Sequence, residues 1–346
     1  MNEVSNHLVE AVFPHVPIRQ WVISFPFSVR YALAYTPSLV TRVHSIFIRV
    51  ISNWYEKAAR KKGAIGKTGA ITFIQRSGTA GNLNVHFHSL FIDGVYEDAG
   101  GRPSFFPVLP PSDEEILTLV RRINLRVRRL LEKLGCELTD FSDDPFAHEQ
   151  PVLAAVGGAS IQSRIAVGER AGMRVRRIGE PFLAGQGFIV GKRCAVSDGF
   201  SLHANVEIKT EERKHLQKLA RYAARPPLAL DRMSEREDGK ILYRLKTGFS
   251  DGSTHVLFDP IELVEKVVAL IAPARANLVR YSGILGPHAK IRKAIVPKGA
   301  ISTTNKKAPG REAWAKLLKR TFAVDVLRCN GCGGVCGSLP RSRIPK

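Results

Sequence analysis

His86 and His88 lie in the run Asn84-Val-His-Phe-His-Ser-Leu-Phe-Ile92. Apolar and β-favouring residues fill it and Asp93-Gly94 follows as turn punctuation, so it reads as a strand. Side chains alternate faces along a strand, which sends both imidazoles to one side, roughly 6–7 Å apart along the backbone. Two imidazoles on a rigid strand can hold one metal ion and leave coordination positions open for a substrate. A single His-x-His also fits ordinary core or surface histidines, so its weight depends on what surrounds it.

Tyr222 supplies the second half of the chemistry. Residues 211–225 read as a helix that opens with Glu211 and Glu212 at its positive end and stops at Pro226. Leu216, Leu219, Ala220 and Ala223 take one side, and Tyr222 falls on another, in line with His215, Lys218 and Arg225. A tyrosine among basic groups has its phenolate stabilised and becomes a better nucleophile. The bland alternative is a half-buried tyrosine bonded to a backbone carbonyl. Combined with the histidines, a metal can polarise a scissile phosphate while the tyrosine attacks phosphorus, and nearby Lys and Arg neutralise the developing charge. A hard divalent ion, Mg²⁺ or Mn²⁺, also wants oxygen ligands. Gln75, on the neighbouring strand, can offer one; Asp93 and His203 are the other candidates.

The elements that must position these groups follow from periodicity. Residues 19–25 read as a strand ended by Pro26, and residues 38–62 as a long amphipathic helix closed by Gly63. Residues 69–76 form a strand, and a short Gly/Asn-rich connection to the histidine strand predicts an antiparallel hairpin. A Pro-rich loop from Pro103 to Pro111 is expected to precede a helix over 112–134 with a Ser112/Glu115 capping box and Gly135 as its stop. Its polar sides carry Arg121, Arg122, Arg126, Arg128, Arg129 and Lys133, a set that favours phosphate contacts. Residues 138–198 look like an insertion. Strands are expected at 199–208, 240–247 and near 254–258, with a helix at 260–271. The expected organisation is a catalytic domain over 1–285, a basic linker over 286–311, and a C-terminal helix with a cysteine-rich tail over 312–346.

Charge sets the partner class. The 346 residues hold 52 Lys and Arg against 31 acids, a net charge of +21. Such an excess points to nucleic acid, and no small-molecule substrate is expected. No apolar run approaches the ~20 residues that span a bilayer. The first residues lack a secretory layout, so a cytoplasmic protein is expected. Cys329, Cys332 and Cys336 offer three thiolates for zinc, although no further Cys or His lies close by, and a reduced tail is the alternative.

At this point the residues carry a resemblance. Trp21-Val-Ile-Ser-Phe-Pro-Phe, Gln75 through Asn82-Leu-Asn-Val-His-Phe-His, Gly199-Phe-Ser-Leu-His-Ala, Arg221-Tyr-Ala-Ala-Arg-Pro-Pro-Leu-Ala, Tyr243-Arg-Leu-Lys-Thr and Leu278-Val-Arg-Tyr-Ser-Gly-Ile-Leu-Gly-Pro-His-Ala recur in order. Together they resemble the rolling-circle transposases of the bacterial insertion-sequence ninety-one group, within the His-hydrophobic-His (HUH) endonucleases. The resemblance implies an α+β fold with a central antiparallel sheet flanked by helices and a helical or irregular C-terminal extension. It also implies a single-stranded DNA substrate and a 5′-phosphotyrosine intermediate. His86 and His88 match the family's metal-binding histidines and Tyr222 its nucleophile. Lys218, Arg221 and Arg225 would steady the phosphate, with Arg121, Arg122, Arg126 and Arg129 tracking the strand. Two-tyrosine members carry a second tyrosine four residues away, where Lys218 and Pro226 stand here, so the chain resembles the single-tyrosine variants. The family's N-terminal cysteine-rich segment has no counterpart, and a shortened copy is expected. The rival readings are a plasmid relaxase or replication initiator of the same chemistry, and a non-catalytic DNA-binding remnant. The lack of a Gly-x-x-x-x-Gly-Lys-Ser/Thr loop favours transposition.

Overall fold

Side chains buried on both faces of the strands organise a six-stranded antiparallel sheet that different helices cover on each side. The computed structural model describes residues 2–78, 80–100, 102–135, 145–179, 191–224, 228–246, 248, 252–273 and 276–297. In chain order these residues form α1 (Asn2–Ala11), β1 (Ile18–Ser24), α2 (Phe27–Tyr35), α3 (Pro37–Arg60), β2 (Gly69–Ser77), β3 (Leu83–Ile92), β4 (Gly94–Ala99) and β5 (Arg102–Pro107). Next come α4 (Asp113–Lys133), α5 (Pro145–Glu149), α6 (Pro151–Ile161), β6 (Arg176–Gly179), β7 (Cys194–Ser197), β8 (Phe200–Ile208) and α7 (Arg213–Ala223). The series ends with β9 (Met233–Glu235), β10 (Ile241–Arg244), β11 (Ser253–Phe258), α8 (Pro260–Leu270), β12 (Val279–Gly283) and α9 (Arg292–Ile295). This is the expected α+β arrangement.

The sheet order is β12-β2-β3-β1-β8-β7. On one face Trp21, Ile23, Phe25, Ile74, Phe87, Phe91, Phe200 and Leu202 pack against α2, α3 and α4. On the other, Ile18, Ile71, Phe73, Leu90 and Ile92 pack against α1 and α7 through Leu8, Val9, Leu216, Ala220 and Ala223. Each strand contributes to both cores because its side chains alternate. A smaller sheet, β6-β11-β10-β9, gathers its own core of Ile165, Val175, Tyr243, Val256 and Phe258.

Buried polar groups tie the layers together. Arg19 forms a bidentate pair with Asp93 (2.9 and 2.6 Å), and Tyr55 of α3 donates to the same carboxylate at 2.8 Å. Other arginines close helix C-termini, where carbonyls lack intrahelical donors and the dipole is negative. Arg76 donates to Ala34 at the end of α2 (2.7 Å) and to Leu270 at the end of α8 (3.3 Å). Arg213 donates to the carbonyl of Val9 in the last turn of α1 and to those of Phe13 and Pro14 just beyond it. These bonds fix where α7 starts.

The helix at 112–134 appears as α4, with both bonds of its Ser112/Glu115 capping box and Gly135 at φ +66° behind it. The loop expected before it is corrected in part: residues 94–107 form the β4–β5 hairpin, and its prolines are accommodated because the sheet has only two strands, both edges. The helices α1, α2, α5, α6 and α9 and the strands β6, β7, β9 and β12 had no counterpart in the sequence reading. Arg225, the expected C-terminal helix and Cys329, Cys332 and Cys336 lie outside the described residues.

Candidate active site

Register decides which residues meet. Gln75 of β2 stands opposite His86 of β3, and Phe73 opposite His88. On the other side of β3, β1 places Ser24 opposite His86 and Val22 opposite His88. Directly opposed residues share a face, so Gln20, Ser24, Gln75, His86 and His88 all project toward α7. The imidazole centroids are 4.9 Å apart, and His88 has its ring perpendicular to Tyr222 at 6.2 Å between centroids. Two histidines from an early strand and the phenol of a later helix thus converge.

Hydrogen bonds orient the set. Gln75 donates through Nε2 to the carbonyls of Ala223 (2.8 Å) and Tyr222 (3.4 Å), which anchors the last turn of α7 over the histidine strand. With its nitrogen so committed, the acceptor end of this 9% exposed amide is its Oε1. His86 Nδ1 lies 2.8 Å from the carbonyl of Asn84. A carbonyl only accepts, so Nδ1 carries the hydrogen and the lone pair of the neutral ring falls on Nε2. His88 Nδ1 lies 2.9 Å from Nε2 of buried Gln20. An amide nitrogen donates, which puts that ring's lone pair on Nδ1. A half-turn of the Gln20 amide would present Oε1 instead and move the lone pair of His88 to Nε2.

Residues 69–293, well over half of the chain, match the Y2_Tnp family model, described as "Putative transposase". The chain belongs to this transposase family. The matched interval opens with β2, runs into α9, and includes Gln75, His86, His88 and Tyr222. No curated protein and no solved structure matches the chain. A transposase acts on DNA, which accounts for the cationic excess. No described helix is long and apolar enough to cross a membrane.

One cation beside Tyr222 was not singled out from the sequence. Lys246 Nζ lies 4.0 Å from the centroid of the Tyr222 ring. It follows the end of β10 and is the lysine of the Tyr243-Arg-Leu-Lys-Thr run, but it is far from α7 in sequence and only the fold brings it to Tyr222. Lys218 and Arg221 are exposed on α7, and Arg225 lies outside the described residues.

The remaining candidates separate. Among the described residues no group of three or more His, Cys, Asp or Glu side chains could hold a metal ion; the oxygen of Gln75 is the side-chain donor that the register places beside the two histidines. Asp93 is spent on Arg19 and Tyr55, in the layer facing α3 rather than α7. His203 stands opposite Val22 on the site face, one strand beyond β1, and burial lowers its pKa, which favours the neutral ring. The arginines of α4 are solvent-exposed, but that helix packs against β7 and β8 on the sheet face opposite Tyr222.

Proposed function

We propose that the protein is a rolling-circle transposase that nicks and rejoins single-stranded DNA at the ends of an insertion sequence. The observation that carries this reading is the approach of the Tyr222 ring to His88, 6.2 Å between centroids, on the face where His86 and Gln75 also project. Tyr222 is the nucleophile. Its phenolic oxygen forms a bond to phosphorus as the bond to the 3′ oxygen breaks, and the phenolic proton ends on that oxygen. The products are a 5′-phosphotyrosine and a free 3′ hydroxyl, and attack by a 3′ hydroxyl runs the step backwards to rejoin a strand. No water and no nucleotide cofactor enters this balance.

His86, His88 and the amide oxygen of Gln75 would hold a divalent ion, Mg²⁺ or Mn²⁺, which when bound supplies positive charge to the scissile phosphate. The lone pair on Nε2 of His86 and the anchored amide of Gln75 suit that role. Gln75 also holds the tyrosine helix at the right height. Lys246 keeps a positive charge against the phenol, and Lys218 and Arg221 extend the cationic track along α7.

The test is a covalent-adduct assay. Labelled single-stranded oligonucleotides spanning the element ends, with Mn²⁺, should yield a protein–DNA adduct that resists denaturation. Tyr222→Phe and His86→Ala should abolish it while DNA binding persists. An adduct that survives Tyr222→Phe would overturn the assignment of the nucleophile. Binding without any adduct from the unaltered chain would identify a non-catalytic remnant.

A further inference from the structure

Outside the site, α2 carries an aromatic stripe. Phe27, Tyr31 and Tyr35 recur every four residues and so share one side of the helix. The inner end of the stripe is fixed. Tyr35 stacks on Phe146 of α5 with centroids 4.3 Å apart, and Tyr31 meets Tyr35 edge-on at 5.2 Å. Gly157 of α6 makes room for this, because a β-carbon there would lie 1.8 Å from the Tyr35 hydroxyl. The outer end is open: Phe27 is 60% exposed. Between α2 and α6 runs a groove of about 710 Å³, with the small residues Ala154, Ala155 and Gly158 facing Phe27 and Tyr31.

Charge and position identify what this groove suits. The Arg30 guanidinium lies 5.0 Å from the centroid of the Phe27 ring, and it is the only charge on α2, while α6 carries none. The groove lining itself is uncharged; its one cation is Arg30, which stands beside the Phe27 ring with its Nε donating to the Phe25 carbonyl, and neither helix carries an acid that would repel a phosphate. Both walls are attached at the histidine end of the sheet, on the face opposite Tyr222, so a strand reaching both passes round that end. Helix α2 follows Ser24, the residue opposite His86, and Ser160 of α6 accepts a hydrogen bond at 3.0 Å from the amide of Leu83 at the start of β3. Every base has a π face, so an exposed aromatic beside a cation binds single strands without regard to sequence.

We propose that this groove takes unstacked bases of the DNA strand, with Phe27 as the stacking platform and Arg30 beside it. The inference rests on the single-stranded substrate of the preceding section. It is tested with the full chain carrying Tyr222→Phe, without metal, so that binding is read apart from chemistry. Fluorescence anisotropy with a labelled oligothymidylate and a duplex of equal length should show a preference for the single strand. Phe27→Ala should weaken single-strand binding about tenfold at an unchanged salt slope, with duplex binding unaltered, and Phe27→Trp should restore it. Because Phe27 is largely solvent-exposed, the thermal midpoint should stay in place. Equal affinities of Phe27→Ala and its parent would overturn the proposal. A change in sedimentation coefficient with unchanged DNA affinity would assign the groove to a second copy of the chain and overturn it equally. Absence of any single-strand preference in the parent would instead sink the reading of the substrate, and with it the ligand named here.

Discussion

Lys246 separates two roles by magnitude. A cation over an exposed aromatic ring contributes about 0.5–1 kcal/mol, so a lysine that merely steadied Tyr222 would cost two- to fivefold on removal. A cation that neutralises charge on the transferring phosphate is worth on the order of 100-fold or more. We expect Lys246→Ala to slow adduct formation at saturating DNA by the larger factor, and Lys246→Arg to recover most of the rate. Single-turnover kinetics read the difference, and a loss under fivefold would confine Lys246 to holding the ring. The histidine pair and the tyrosine were legible in the sequence because each sits in a strongly patterned element. Lys246 and Gln20 were not: their partners are set by strand register and by a long-range approach, neither of which leaves a local trace.

His44 of α3 belongs to the element scale. It is buried, its Nε2 has no hydrogen-bond partner among the described residues, and its ring meets Phe87 edge-on at 5.8 Å. Burial, with a smaller push from Arg280, lowers its pKa from 6.5 to about 4. The fold thus favours the neutral ring. Its contribution is fully present above about pH 6.5 and is lost as pH falls toward 4, up to about 3 kcal/mol. Chemical denaturation between pH 7 and 4.5 should therefore show falling stability, and His44→Leu should flatten the slope; an unchanged slope would place the acid sensitivity elsewhere. At this scale the reading of the sequence succeeded where periodicity ran long, as in α3, α4, β2 and β3. It failed for β4–β5, where Pro103 and Pro107 argue for a loop yet occupy a two-stranded ribbon. It also missed β12, whose residues Val-Arg-Tyr-Ser-Gly alternate apolar and polar over too short a run to stand out from the flanking loops. Tertiary pairing with β2 makes that strand.

For the whole molecule, the question is where +21 net charges meet DNA. The arginine face of α4 and the Tyr222 site lie on opposite faces of the same sheet, so one strand touching both must wrap round the sheet. Replacing Arg121, Arg122, Arg126 and Arg129 together by Gln should lower the salt slope of single-strand binding by about 3, at roughly 0.7 per phosphate contact. Adduct formation at saturating DNA should survive, because none of the four is near the nucleophile. Affinity titrations across a salt series check this. An unchanged slope would mean that these arginines face only water.

The outermost strand has a consequence for the biosynthesis of the chain. Residues 279–283 seal the flank of β2 with a complete ladder from Val279 to Gly283. A polypeptide interrupted between Ala223 and Val279 would keep both imidazoles and the phenol but leave a row of amides and carbonyls open on β2, a template for pairing with its own kind. Ribosome stalling or proteolytic nicking in that interval would then be seen first as sedimenting material rather than as a soluble, inactive fragment.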